Sequence, residues 1–257
     1  SDWSSDVCSS DLFGCFIKSN IQIKELHLEG EIKTIIMEDG SLYTSDALIL
    51  SPGGRSRTLN VSGENKFKGH GISYCATCDG DFFTDKEIVV VGGGNSALEE
   101  AVSLTKYASK VTIVHQFDHF QAFDHAIAEA QNHPKIKFIM ESVIASFQGD
   151  EKLEHVEIKN VKTGDIINYK TEGVFIFIGY VPNTEFLKGK LNLNKWGEII
   201  VSPEMETNIE GVYAAGDSIV KKYRQVTTAV SDGTIAALAA SNYFHSLKTK
   251  KEIILKN

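Results

Sequence analysis

The chain has few of the features that mark secreted, membrane-bound or nucleic-acid-binding proteins. Only 4 of its 257 residues are cysteine, which is too few for the disulfide framework of a secreted protein. It contains no run of about twenty apolar residues, the length that a membrane-spanning helix needs. The net charge of −8 argues against a nucleic-acid surface. We therefore expect a cytoplasmic protein with neither a membrane nor a nucleic acid as partner.

The sequence also lacks the ligand pattern of a structural metal site. A zinc site needs three or four ligands, and the chain contains a single CxxC pair. No metal is expected. The length of 257 residues and the 42% hydrophobic content suit a globular protein with two ordinary domains.

The first residues differ from everything that follows. Residues 1–12, SDWSSDVCSSDL, are polar and show no periodicity. They resemble a translated sequencing adapter, so we exclude them from the fold as not native.

Two motifs that follow one another in the middle of the chain carry the chemistry. Cys75 and Cys78 can close a small disulfide ring, and a helix that begins there would favour the thiolate. The strand 88–91 is followed by the glycine turn 92–94 and a helical pattern, an order typical of a pyrophosphate-binding Rossmann unit. Each motif alone is weak evidence. Together they indicate electron transfer between a dinucleotide and a disulfide.

The remaining pattern predicts strands at both ends of the chain. Two strands before the Asp39-Gly40 turn and one over 42–50 form a small β-meander that leads into a buried strand. Residues 196–201 are predicted as the edge of a hairpin, and an alanine-rich helix covers roughly 228–246.

Five segments in a fixed order resemble the low-molecular-weight thioredoxin reductases, which are class II pyridine nucleotide-disulfide oxidoreductases. These segments are CATCDG, VVVGGGNSALEEA, FIFIGYVPNTEF, GVYAAGD and YRQVTTAVSDGTIAALAA. The resemblance covers residues 13 to about 244.

The resemblance implies an α/β fold with two Rossmann-like domains, one for FAD and one for NAD(P). In this family the FAD domain is split by the inserted dinucleotide domain, which carries the CxxC pair. Residues 13–62 and 191–257 would form the FAD domain, and residues 63–190 the inserted domain. The strand, GxGxxG turn and helix that open the family's FAD domain have no counterpart here. The chain is therefore expected to be an N-terminally truncated fragment that binds FAD poorly or not at all.

The resemblance also implies site residues. Cys75 and Cys78 would be the redox pair, and Asp79 would move protons as the disulfide opens, because exchange needs a thiolate and a protonated leaving sulfur. The dinucleotide would bind at Gly92, Gly93, Gly94, Asn95, Ser96 and Ala97. FAD would contact Gly216, Asp217, Arg224, Gln225 and Val226.

One segment departs from the family pattern. Where the family commonly has HRRxxFRA, with arginines that hold the 2′-phosphate of NADPH, residues 115–122 read HQFDHFQA. The loss of two charge-assisted hydrogen bonds costs roughly 3–6 kcal/mol, which argues against a preference for NADPH. NADH is normally marked by an acidic residue at this strand end, a position that only Asp118 could fill. His115 and His119 could partly replace the arginines, and the donor stays open between NADPH, NADH and reduced ferredoxin.

The resemblance implies a flavoenzyme that passes electrons from a donor through FAD to the Cys75–Cys78 disulfide, and then to thioredoxin or a similar protein. Family members are homodimers. Two alternatives remain: a related flavoprotein that serves a ferredoxin-linked or peroxide-handling partner, and an inactive truncated fragment.

Overall fold

The computed structural model of the chain describes residues 14–254, with side chains placed up to residue 249. The adapter-like residues 1–12 lie outside this range. The chain forms two compact units. The inserted unit comprises Arg55–Val181, and the split unit comprises the residues up to Gly54 together with those from Pro182 onward.

The unit boundaries lie 8 and 9 residues before the predicted ones, at 54/55 instead of 62/63 and at 181/182 instead of 190/191. Packing explains both differences. Leu59 and Val61 pack against a core of the inserted unit, whereas Leu187 is fully buried in the core of the split unit.

A five-stranded parallel sheet forms the centre of the inserted unit. Its strands, in spatial order, are β6 (Ile72–Ser73), β13 (Gly173–Ile176), β7 (Glu87–Val91), β8 (Lys110–Val114) and β9 (Ile136–Ile139). Every neighbouring pair in this sheet is parallel. The two neighbouring strands β13 and β7 are almost continuously apolar, because both faces of the sheet are covered there.

The two faces of this sheet pack against different layers. Ile88 and Val90 face a core shared with the helices α3 (Asn95–Leu104) and α4 (Asp124–Asn132). Val89 and Val91 face the opposite core. That core is shared with an antiparallel sheet made of β10 (Ser142–Gly149), β11 (Leu153–Asn160) and β12 (Ile166–Lys170).

Two four-residue helices and a 3₁₀ turn complete the inserted unit. They are α1 (Glu64–Phe67), α2 (Ala76–Asp79) and the 3₁₀ turn Gly80–Phe83. The 3₁₀ turn places Phe83 against Phe175, with ring centroids 5.0 Å apart.

The split unit combines a meander with a short parallel pair and a long helix. The meander consists of β1 (Ile23–His27), β2 (Lys33–Met37) and β3 (Leu42–Ser45). The parallel pair is β4 (Leu48–Leu50) with β15 (Val212–Ala214), and it packs on α5 (Val226–Ile254). Two 3₁₀ turns, Glu185–Leu187 and Gly216–Ser218, belong to the same unit. The connections between the units include β5 (Gly54–Ser56) and β14 (Tyr180–Pro182), which pair with each other.

Three predicted elements differ from the structure. The single strand over 42–50 is two strands, because the Ser45 hydroxyl bonds the backbone of Ala47 and ends the pairing of β3. Residues 196–201 form a turn held by the Asn194 side chain, with isolated bridges in place of a hairpin strand. The last helix begins at Val226 and extends to Ile254, further than predicted at both ends. Among the described residues, no helix combines the length and the apolar character that crossing a bilayer requires.

Replacement of Phe175 by alanine tests the central sheet. The Phe175 ring is fully buried between Phe83 and Phe177, and its loss would destabilise the inserted unit by about 3–5 kcal/mol through lost burial and a cavity. Hydrogen–deuterium exchange of residues 87–91 and 173–176 measures this as loss of protection. Phe82→Ala, at a ring that is 68% exposed, is the control and should change stability by less than about 0.5 kcal/mol. Equal protection in the two variants would contradict the assigned core.

Candidate active site

The predicted disulfide between Cys75 and Cys78 is present in the inserted unit. The two sulfur atoms are 2.08 Å apart and the Cα atoms 5.3 Å apart. Cys75 is the N-cap of α2, and the amide of Cys78 donates a hydrogen bond to the Cys75 Sγ at 3.2 Å. An amide donor at this distance stabilises negative charge on the Cys75 sulfur when the disulfide opens. Cys78 is exposed and Cys75 is half-buried.

A buried serine connects the disulfide to Asp79. The Ser73 hydroxyl donates to Asp79 Oδ2 at 2.6 Å and accepts from the Cys75 amide at 3.1 Å. Ser73 is 5% exposed and belongs to β6, so the central sheet fixes its position. The arrangement holds a carboxylate beside the sulfur pair.

The segment before the cysteines is anchored by a buried carboxylate. Glu64 is 3% exposed and accepts hydrogen bonds from the amides of Leu59 and Asn60 and from the Tyr74 hydroxyl, the last at 2.7 Å. Partial burial and this carboxylate raise the pKa of Tyr74, which keeps the phenol protonated. Glu64 thus ties the residue next to Cys75 to the start of the inserted unit.

The glycine turn lies at the carboxyl end of β7 and requires glycine at two positions. Gly92 has a φ of 139°, and a Cβ there would lie 2.4 Å from the Phe177 carbonyl oxygen. A Cβ on Gly93 would lie 2.4 Å from the His115 ring. Gly94 precedes α3, which begins without a side-chain cap and without an acidic residue in its first turn. Such a helix start has amides and a positive dipole end available for an anion.

The six predicted dinucleotide residues occupy this turn and the first turn of the helix. Gly92, Gly93 and Gly94 form the loop, and Asn95, Ser96 and Ala97 open α3. The Asn95 side chain accepts from the Phe123 amide at 2.7 Å, and the Gln121 amide donates to the Gly93 oxygen at 2.8 Å. Residues 121–123 are thereby held against the glycine turn.

His115 lies directly beneath the turn. It is 5% exposed and stacks on Phe120 with ring centroids 5.8 Å apart. Burial lowers the pKa of His115, so the ring is neutral near pH 7. Its Nε2 is one of the few buried polar atoms in the described part of the chain that have no hydrogen-bond partner. The ring atoms that approach Gly93 most closely are Cε1, Nδ1 and Cγ.

Sheet topology brings the two sites to the same edge. The dithiol follows β6 and the glycine turn follows β7, and both strands are parallel to the strand between them, β13. Because carboxyl ends of parallel strands lie at one edge, both sites lie at this edge, after strands that are two strand spacings apart, about 10 Å in the sheet.

The predicted flavin residues form a separate group in the split unit. Gly216 has a φ of 77° at the start of a 3₁₀ turn, and Asp217 Oδ1 is buried without a hydrogen-bond partner. Arg224 forms an ion pair with Glu198 and donates to the Asp217 carbonyl at 3.3 Å. Gln225 and Val226 lead into α5. An orphaned carboxylate oxygen beside a glycine turn fits the hydroxyl groups of a flavin nucleotide.

Sequence reasoning missed Ser73 and Glu64. Ser73 is separated from Asp79 by 6 residues, a spacing that no regular helix or strand brings together. Glu64 follows a glycine in an ordinary loop pattern, so nothing in the sequence marks it as a buried acceptor.

Comparison with known families matches the chain to the family described as pyridine nucleotide-disulphide oxidoreductase, over residues 16–233. This match spans most of the chain and includes both the dithiol and the glycine turn.

Individual relatives agree with this match. The chain is 44% identical to a thioredoxin reductase of Peptoclostridium acidaminophilum, over 86% of this chain and 72% of that protein. It is 48% identical to the 34.2 kDa protein in the rubredoxin operon of Clostridium pasteurianum, over 86% of this chain and 71% of that one. The crystal structure of thioredoxin reductase from Streptococcus pyogenes superposes with a TM-score of 0.82 at 40% identity, and the match covers 87% of this chain and 73% of that chain. The chain therefore belongs to the pyridine nucleotide-disulphide oxidoreductases and, within them, to the low-molecular-weight thioredoxin reductases.

Proposed function

We propose that the Cys75–Cys78 pair of this chain reduces the disulfide of thioredoxin or a similar small protein. The observation that supports it most directly is the closed disulfide next to a sheet-anchored carboxylate. When bound, FAD and a pyridine dinucleotide would supply the electron pair that the dithiol passes on. Family membership supports a homodimer in the cytoplasm as the setting of the reaction.

The reaction is a thiol–disulfide exchange between the CxxC pair and the acceptor disulfide, and it proceeds in two steps. One thiolate of the reduced pair attacks the acceptor disulfide and forms a mixed disulfide, and the second cysteine then displaces the acceptor. Two S–H groups of this chain become one S–S bond, and the acceptor gains two electrons and two protons. The Cys78 amide stabilises charge on the Cys75 sulfur.

Asp79 is the group that moves protons in this scheme. Its carboxylate is held by Ser73 and belongs to the same short helix as Cys78. A carboxylate in this position can take a proton from an attacking thiol and return one to a leaving sulfur. Ser73 is a positioning residue, because it acts through Asp79 and through the Cys75 backbone.

Residues for the two cofactors are supplied by both units. In the inserted unit, the turn at Gly92–Gly94 and the start of α3 would hold the dinucleotide pyrophosphate. In the split unit, Asp217 would accept from flavin hydroxyls, next to Gly216, Arg224, Gln225 and Val226.

The dithiol exchange can be measured without any cofactor. The chain, reduced with dithiothreitol and desalted, is mixed with oxidised thioredoxin, and free thiols are counted by alkylation and mass spectrometry. We expect each reduced CxxC pair to transfer two electrons to one thioredoxin disulfide. Cys75→Ser and Cys78→Ser should each lower this two-electron transfer by at least about 100-fold, since two sulfurs are needed to close the disulfide.

The control for this experiment is a variant in which Cys8 and Cys15 are serine, because Cys15 is exposed and forms no disulfide. This variant should exchange at the rate of the parent chain. Full transfer by either single variant of the CxxC pair would remove the dithiol from the reaction.

A double-mutant cycle tests the connection between Ser73 and Asp79. Asp79→Asn should slow exchange by about 10²-fold or more, since it removes the proton-transfer group. Ser73→Ala should slow exchange by about tenfold, because the carboxylate loses a charge-assisted hydrogen bond. The double variant should be no slower than Asp79→Asn alone, because the serine acts through the carboxylate.

Ser109→Ala changes an exposed serine of the same unit and should leave the exchange rate unchanged. Multiplicative losses in the double variant would show that Ser73 supports the fold independently of Asp79.

A further inference from the structure

The loop after β8 bears a carboxylate at the edge of the dinucleotide site. Asp118 is exposed, and its Oδ1 is 2.7 Å from Nδ1 of His119. The loop is fixed on both sides, since the Gln121 amide donates to the Gly93 oxygen and the Phe117 oxygen accepts from the Glu141 amide. Asp118 therefore lies on a segment attached to the glycine turn.

Carboxylates outnumber lysine and arginine side chains among the groups that pair at this loop. Glu141 forms an ion pair with Lys162. The hydrogen bond with His119 and, to a smaller extent, the positive charge of Lys162 lower the pKa of Asp118. Besides the His119 imidazole, the side chains around the loop are the two carboxylates of Asp118 and Glu141 and the single ammonium of Lys162. Residues 115–122 contain neither lysine nor arginine. A second phosphate on the adenosine ribose would bring about two negative charges to this loop and would find no arginine fork to receive them.

A ribose with free hydroxyl groups is favoured by the same arrangement. In Rossmann units, an acidic residue about 20 residues beyond the glycine turn accepts a hydrogen bond from the ribose 2′-hydroxyl. Asp118 lies 24 residues beyond Gly94, the last residue of the turn, and 21 beyond Ala97 in the first turn of α3. The start of α3 directly after this turn has no side-chain cap, so its amides are available for the pyrophosphate of the same ligand.

We propose that the inserted unit selects a dinucleotide without a 2′-phosphate, NADH over NADPH, with Asp118 as the ribose acceptor. This inference rests on the proposed function and specifies its electron donor. It concerns binding alone, so it is tested with ligands that cannot reduce the protein.

The experiment is isothermal titration of the chain with NAD⁺, with NADP⁺, and with ADP-ribose with and without a 2′-phosphate, at 0.15 M salt. We expect the ligands without the phosphate to bind at least about tenfold more tightly than those with it. Asp118→Asn should reduce this preference by about tenfold, because the ribose loses a charged acceptor and the phosphate loses a repelling charge.

The sequence provides a matched control. Phe123-Asp124-His125 repeats the tripeptide Phe117-Asp118-His119, with Asp124 exposed at the start of α4. Asp124→Asn should leave the preference unchanged. The double substitution Gln116→Arg/Gln121→Arg should strengthen binding of the 2′-phosphate ligands by about 10- to 100-fold, because it supplies the missing cations.

The outcomes separate this inference from the proposed function. Equal or tighter binding of NADP⁺, or an unchanged preference in Asp118→Asn, overturns the inference. Absence of binding by every ligand also overturns it, and directs the search for the donor to reduced ferredoxin. In all these cases the dithiol exchange with thioredoxin is unaffected, because that assay contains no nucleotide. Selective NAD⁺ binding without dithiol exchange would instead overturn the proposed function alone.

Discussion

The parallel pairing of the five strands in the inserted unit is the constraint on which both chemical sites depend. Parallel strands place all their carboxyl ends at one edge, and the backbone groups between them are satisfied only while the register is kept. The residues after β6 and β7 are the disulfide and the glycine turn, so one sheet edge presents both. Helices on one face and an antiparallel sheet on the other keep this sheet away from water.

The packing of the sheet also brings residues of two neighbouring strands into close contact with the glycine turn. Gly92 and Gly93 leave no space for a Cβ because Phe177 and His115 occupy it. Phe177 belongs to the chain that leaves β13, and His115 to the chain that leaves β8. The turn is therefore shaped from both sides by neighbouring strands as well as by its own sequence.

Elements with long apolar runs or strong turn signals could be predicted from the sequence. The strand near 88–91 and the helix after Gly94 were of this kind, because burial on both faces or on one stripe leaves a clear pattern. The two-residue strand β6 left no such pattern, although it carries Ser73. The turn around Asn194 imitated a hairpin strand because it contains the apolar run 199–201, although Ile199 is fully buried and Ile200 is exposed.

The candidate site was predictable only in part, for a related physical reason. Motifs record residues that are close in sequence, such as Cys75 and Cys78. The contacts between Ser73 and Asp79 and between Glu64 and Tyr74 arise when a helix or turn folds back onto a strand end. The unpaired oxygen of Asp217 is likewise a property of its packing, because the same residue in an open loop would be hydrated.

The strand order of the central sheet has a consequence for synthesis on the ribosome. The partner of β6 in the sheet is β13, and the paired residues Ile72 and Val174 lie about a hundred positions apart along the chain. The two cysteines leave the ribosome well before β13, the strand that pairs with β6 and so fixes the position of Ser73. Until translation passes Ile176, β6 has no partner strand and the segment with the two cysteines is not anchored to the sheet. During that time the two thiols react like those of an unfolded chain, and they gain the contacts with Ser73 and Asp79 only after β13 has been synthesised.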